Sequence, residues 1–405
     1  MVFACQRDSF LREFITSVSS CKEAKISCVK NGKKEVIDGF EVVLDDTILF
    51  PEGGGQPWDL GTIAEKEIIQ VVRRGAEAVH MLYEPLQVGE KVTVKLDWDR
   101  RLDHMQQHSG QHLITAVIDA EYGYATSSWW LGEEISYLEL DTPSMSPNQL
   151  SHVEALVNQY IRECRPVTVT VYESTDPELK KARTRGLPED HVGLVRLVSI
   201  KDLDNNMCCG THVSNLSQLQ MIKLTGVEKG KKNKVKLNFL SGNRVLKKME
   251  EFLIREEALS NLLQNKGSMH VQLTEKIQDS LRSTTKNLQT VLRELAVVEA
   301  QKLKKTNPMP KFYIIHRKEA DMDFVSAFLR EFSNEDTLVL LVVGEEPVVQ
   351  IVLHGKPDIV GSIGPRLSEI MCGKGFGKGQ KYQAKVGKLK LREAADIMEE
   401  VFKNM

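Results

Sequence analysis

The chain has 405 residues, enough for two to four domains at roughly 100–200 residues each. It is 41% hydrophobic and 27% charged with a formal net charge of -2, so no overall basic field draws it to nucleic acid and any polyanion site has to be a local patch. No uncharged apolar run reaches the roughly eighteen residues of a membrane span, the start MVFACQRDSFLREF lacks a signal-peptide run, and the seven scattered cysteines argue against a disulfide framework, so the expected location is the reducing cytoplasm.

Residues 1 to about 95 read as β structure. ISCVKNGKKEVIDGFEVVLDDTILFP carries β-prone runs split by a turn at Asn31-Gly32, and the pattern continues with turns at Gly75 and Gly89. Many short strands with frequent turns predict a small barrel or sandwich. From Trp98 to about Tyr122 apolar and histidine residues recur every three to four positions, which predicts a helix. A strand at 135–141, an amphipathic helix at 147–165 and strands at 166–173 and 192–200 complete one mixed domain.

The lysine-rich stretch 226–249 leads into a helical segment from Val245 to about Lys305, interrupted at 265–269. Leu246, Met249, Leu253, Leu288, Val291, Leu292 and Leu295 fall at helical spacing. They predict a helical hairpin or short coiled coil, and two ordinary core-facing helices satisfy the same spacing. From 311 onward strands and helices alternate around a glycine-rich segment at 361–388, and the chain ends on a helix, KLREAADIMEEVFKN. The expected class is α+β: an N-terminal β-barrel (1–95) with a glycine-rich motif, a metal-binding α+β domain (96–244), a helical spacer (245–305) and a C-terminal glycine-rich α/β domain (306–405).

Two motifs carry chemistry. In HSGQH, His108 and His112 are four apart, which on a helix points both imidazoles at one ion, and His104 and His108 satisfy the same spacing. In MCCGTHV, Cys208 and Cys209 lie four and three residues before His212, and Gly210 lets the chain turn tightly. Thiolate and imidazole together suit zinc.

HSGQH followed by CCGTH some hundred residues on resembles the HxxxH…CxxxH zinc signature of the alanyl-tRNA synthetase editing domain and of its free-standing AlaX relatives. FPEGGGQPWDLG (50–61) is similar to a glycine-rich motif of the larger members. The resemblance covers roughly residues 1 to 245. The resemblance implies zinc held by His108, His112, Cys208 and His212, with His104 outside the set and Cys209 standing where the family usually has glycine. It implies an ester hydrolase that removes a misattached amino acid from tRNA(Ala) in trans.

A pocket for alanine cannot strongly reject glycine or serine, so a second, hydrolytic sieve is needed; Ser-tRNA(Ala) is the expected substrate, with glycine left open. The resemblance points to a polar residue after the first helix for the serine hydroxyl, making Thr126, Ser127 and Ser128 the candidates. It places Gly53, Gly54, Gly55, Gln56 and Asp59 near the pocket. The triple glycine lacks the Gly-Lys-Ser/Thr ending of a phosphate loop.

The two densest basic runs are 229–236 and 374–390, and Lys229, Lys231, Lys232, Lys374, Lys378 and Lys381 are the candidate RNA contacts. In the second run Phe376 and Tyr382 interleave with the lysines, which suits base stacking on a single-stranded end. This run is also similar, more loosely, to the glycine-rich C-terminal domain shared by alanyl-tRNA synthetase and DHH phosphoesterases. A scaffold that keeps the editing fold and binds a protein partner, or itself, through the helical segment is the rival reading. A nucleobase deaminase is excluded by the absence of the Pro-Cys-x-x-Cys that its signature requires.

Overall fold

The computed structural model describes residues 2–30, 33–183 and 194–403. Its class is mixed α and β, with several sheets and eight α-helices among the described residues. It divides into two compact units, Met1–Glu257 and Ala258–Met405.

The first unit opens with a single helical turn, α1 (Ala4–Arg7), and six strands: β1 (Glu13–Lys30), β2 (Lys33–Leu44), β3 (Gly61–Ile63), β4 (Lys66–Arg74), β5 (Glu77–Leu82) and β6 (Lys91–Leu96). They close into a barrel in the order β1-β2-β5-β4-β3-β6. Val42, Ile48, Phe50, Ile63, Val71, Leu82 and Val94 fill its interior. β1 and β2 pair down to Lys30 opposite Lys33; the turn expected at Asn31-Gly32 lies outside the described residues. At Gly75, φ is +59°, the left-handed conformation that joining Arg74 to its partner Glu77 requires.

Helix α2 (Trp98–Tyr122) has the bounds that the spacing predicts. Asp97 caps its start by accepting from Arg100 N at 3.1 Å, and Gly123 ends it at φ +66°. It is followed by β7 (Thr126–Trp130), β8 (Ser136–Leu140), α3 (Pro147–Arg162), β9 (Val167–Tyr172), β10 (Val195–Ile200), β11 (Asp204–Met207), β12 (Ile222–Lys229) and β13 (Val235–Ser241). These strands form an antiparallel sheet β12-β13-β8-β7 and a smaller sheet β11-β10-β9. Met105, Leu113, Ile114 and Val117 of α2 pack with Leu138, Leu224 and Phe239 of the larger sheet and with Val153 and Val157 of α3. Of the strand expected at 192–200, residues 192 and 193 lie outside the described residues.

Helix α4 (Asn243–Leu263) crosses the boundary between the units. The second unit continues with α5 (His270–Lys304), β14 (Phe312–Arg317), α6 (Met322–Glu331), β15 (Leu338–Glu345), β16 (Val348–His354), α7 (Pro357–Ile370), β17 (Gly373–Lys378), β18 (Lys381–Val386) and α8 (Leu391–Lys403). Its sheet runs β14-β15-β16-β18-β17, with only β14 and β15 parallel. Both faces are covered. Ala296 and Ala300 of α5 and Phe324 and Phe328 of α6 pack against Val339 and Leu341; Ile363, Leu367, Ala394 and Met398 pack against Leu340 and Val342. This explains the continuous apolar run LVLLVV of β15.

The glycine-rich segment is more regular than its composition indicates. Residues 361–370 belong to α7 and the rest form the β17–β18 hairpin. Here one expectation is corrected: Tyr382 is not offered for base stacking. It is buried, its hydroxyl lies 2.8 Å from Ser368 Oγ, and a Cβ at Gly364 would come within 2.4 Å of its ring. The glycine makes room for the tyrosine. Phe376 is exposed.

Candidate metal centre

His108, Gln111, His112 and Thr115 share one face of α2, at the i, i+3, i+4, i+7 positions, and all four are buried. The CCGTH segment leaves β11 and runs beneath this face. Cys208 N donates to Arg196 O at 3.1 Å, and Arg196 Nη1 donates to the carbonyls of Cys208 (3.0 Å) and Gly210 (2.7 Å), which fixes the loop. The His212 ring then lies 4.4 Å from that of His108 and 4.7 Å from that of His112. Cys208 Sγ is 3.3 Å from both His108 Nε2 and His212 Nε2.

The four ligand atoms all lie within 4.8 Å of one another. A tetrahedral zinc with bonds of ~2.0–2.3 Å separates its ligands by roughly 3.3–3.7 Å, so the donor set fits such an ion by both spacing and chemistry. Burial pushes the pKa of His108 and His212 well below the usual histidine range, and the neighbouring histidines and Arg196 push the same way. The rings are therefore neutral and can act as ligands at neutral pH.

His104, one turn upstream, is outside this group. Cys209 is outside it as well. Its sulfur packs against Gly54, where a Cβ would approach to 2.7 Å, and burial raises the pKa of its thiol. Each of two of these histidine rings is held from behind. Ser109 Oγ lies 3.1 Å from His212 Nδ1 and accepts from Val213 N at 3.1 Å; Gln56 Oε1 lies 2.9 Å from His108 Nδ1. Trp129 covers His108, with ring centroids 4.8 Å apart.

A family model described as the threonyl and alanyl tRNA synthetase second additional domain matches residues 195–237, which include Cys208 and His212. The chain is 47% identical over 399 residues to alanyl-tRNA editing protein Aarsd1-B of Xenopus laevis, covering 98% of this chain and 97% of the relative. It is 48% identical over 400 residues to alanyl-tRNA editing protein Aarsd1 of Mus musculus, with the same coverage. The chain belongs to the alanyl-tRNA editing protein family. A more distant member, AlaX-L of Pyrococcus horikoshii, is 27% identical over 381 residues, covering 92% of this chain and 91% of the relative.

The other residues singled out for this family fall in three places. The glycine loop reaches the candidate site: a Cβ at Gly55 would meet the Trp129 ring at 2.7 Å, and Gln56 bonds His108, whereas Gly53 has room around it. Asp59 lies elsewhere, fully buried in an ion pair with Arg101 of α2. Thr126 Oγ1 is 3.1 Å from Thr115 Oγ1 on the ligand-bearing face, while Ser127 is exposed and donates to Glu139 Oε1 at 2.8 Å; Ser128 is half-buried on β7.

Lys229, Lys231 and Lys232 lie at the exposed β12–β13 connection, and Lys374, Lys378 and Lys381 are exposed on β17 and β18. Sequence reasoning missed Gln111, Thr115, Arg196 and Trp129. Gln111 Nε2 donates to Thr115 Oγ1 at 3.0 Å, and its buried Oε1 has no partner among the described residues. The i+3 and i+7 spacing from His108 was the signal available for the first two.

Proposed function

We propose that the chain is a zinc-dependent trans-editing deacylase that hydrolyses the ester of Ser-tRNA(Ala), with Gly-tRNA(Ala) as the second substrate to examine. The observation that carries this reading is the convergence of His108, His112, Cys208 and His212 in a chain whose relatives are alanyl-tRNA editing proteins. Bound zinc supplies Lewis acidity to a carbonyl or water, or a fixed positive charge that orients the substrate. Gln111, Thr115 and Thr126 form a polar strip along the ligand-bearing face, and the unpartnered Gln111 Oε1 is an acceptor suited to a hydroxyl or ammonium hydrogen.

The exposed lysines at 229–232 and 374–381 are assigned to RNA phosphate contact, the chain is assigned to the cytoplasm, and the divisions at 95, 244 and 305 are its proposed domain limits. The test is deacylation of Ser-tRNA(Ala) against Ala-tRNA(Ala). Release of serine with correctly charged tRNA left intact supports the assignment, and equal hydrolysis of both contradicts it. The scaffold reading rests on a different observation, the exposed Ile277, Leu281, Leu288, Val291 and Val298 of α5. A stable complex together with an absence of deacylation would favour it.

A further inference from the structure

We propose that Gln56 is a positioning residue of the metal centre: it fixes His108 in the tautomer whose Nε2 lone pair faces the metal. This rests on the metal-binding reading above. The geometry begins in the glycine loop. Gly53 N donates to Gln56 O and Gln56 N donates to Gly53 O, both at 3.1 Å, closing a two-residue turn. The two central residues have φ of +57° (Gly54) and +78° (Gly55), the pattern of a type I′ turn, which glycine adopts without strain. The glycines thus shape a turn that delivers Gln56, fully buried, to the back of His108.

The hydrogen bonds leave one assignment. Thr211 N lies 3.0 Å from one end of the Gln56 amide, and a backbone N–H only donates, so that end is the oxygen. The nitrogen at the other end donates to Thr211 Oγ1 at 2.8 Å. The same oxygen is 2.9 Å from His108 Nδ1. An amide oxygen can only accept, so Nδ1 carries the hydrogen. The lone pair is then on Nε2, the atom 3.3 Å from Cys208 Sγ.

Ser109 behind His212 differs in kind. A hydroxyl donates or accepts, so it permits either tautomer, whereas the amide dictates one. The space around the contact is full: a Cβ at Gly210 would lie 2.3 Å from His108 Cε1 and 2.7 Å from Gln56 Oε1.

Two measurements on the full chain test this. In the metal-free wild-type protein, imidazole nitrogen NMR shifts should show His108 protonated at Nδ1; protonation at Nε2 overturns the proposal without any mutation. Zn²⁺ affinity is then read by competition with a chromophoric chelator. Gln56→Met removes the acceptor and should weaken binding roughly 10–100-fold. Gln56→Glu keeps oxygens for Thr211 N and His108 Nδ1, and should stay within a few-fold of wild type. Wild-type affinity in Gln56→Met, or Gln56→Glu as weak as Gln56→Met, overturns the role. A wild-type protein that binds no zinc overturns the metal reading itself; one that binds zinc equally with and without Gln56 overturns the positioning role alone.

Discussion

His80 sits fully buried on β5, with Nε2 2.9 Å from Thr47 Oγ1 and Nδ1 3.1 Å from Val42 O. Burial pushes its pKa down to about 4, against the opposing pull of the Val42 carbonyl. In the unfolded chain a histidine titrates near ~6.5. Above that value both states are neutral and the ring adds no pH dependence. Between about 6.5 and about 4 the unfolded chain takes up a proton that the folded one refuses, so stability falls as pH drops through that window.

The slope approaches ~1.4 kcal/mol per pH unit for one such group. His104, pushed by burial to about 3, adds to it. Urea unfolding midpoints of wild type and His80→Gln, compared at about pH 7 and about pH 5, should show a smaller acid-side loss in the variant; the same loss in both would exclude His80 as a source. The residue scale also marks a limit of the sequence. His108, His112, Cys208 and His212 are legible because four-residue spacings repeat. The contact of Gln56 is not, because it crosses 52 positions and depends on how the barrel meets α2.

Among the elements, α2 is anchored to the barrel by Asp59 and Arg101, both fully buried. Arg101 Nε donates to Asp59 Oδ2 at 3.0 Å, its Nη1 to Ser9 O at 2.9 Å and its Nη2 to Ile48 O at 2.6 Å, while Phe50 N donates to Asp59 Oδ2 at 2.7 Å. Asp59→Ala would leave a guanidinium buried without its counter-charge, a loss of roughly 3–5 kcal/mol. Denaturant unfolding should show it, and a change under ~1 kcal/mol would mean that water or another group replaces the carboxylate.

The α2 helix was legible because its three-to-four-residue periodicity spans about seven turns. β7 was not. TSSWW has no apolar alternation, and adjacent tryptophans face opposite ways, Trp129 over His108 and Trp130 exposed. The β17–β18 hairpin was obscured for a related reason: glycine composition signals turns, and only the fold shows that Gly364 serves the packing of Tyr382.

At the scale of the molecule, the mixed α+β class and the family were legible from three short motifs in order. No described helix is long and apolar enough to cross a membrane. The first unit contains all four side chains that could hold a metal and both residues behind them, so on the proposed reading metal binding and hydrolysis should rise and fall together. The most direct measurement is zinc content alongside Ser-tRNA(Ala) deacylation, for the protein as purified, stripped by chelator, reloaded, and carrying Cys208→Ala. The expected result is one zinc per chain, loss of at least ~100-fold in activity on stripping or in Cys208→Ala, and recovery only in the reloaded wild type. Undiminished deacylation by metal-free protein would contradict it.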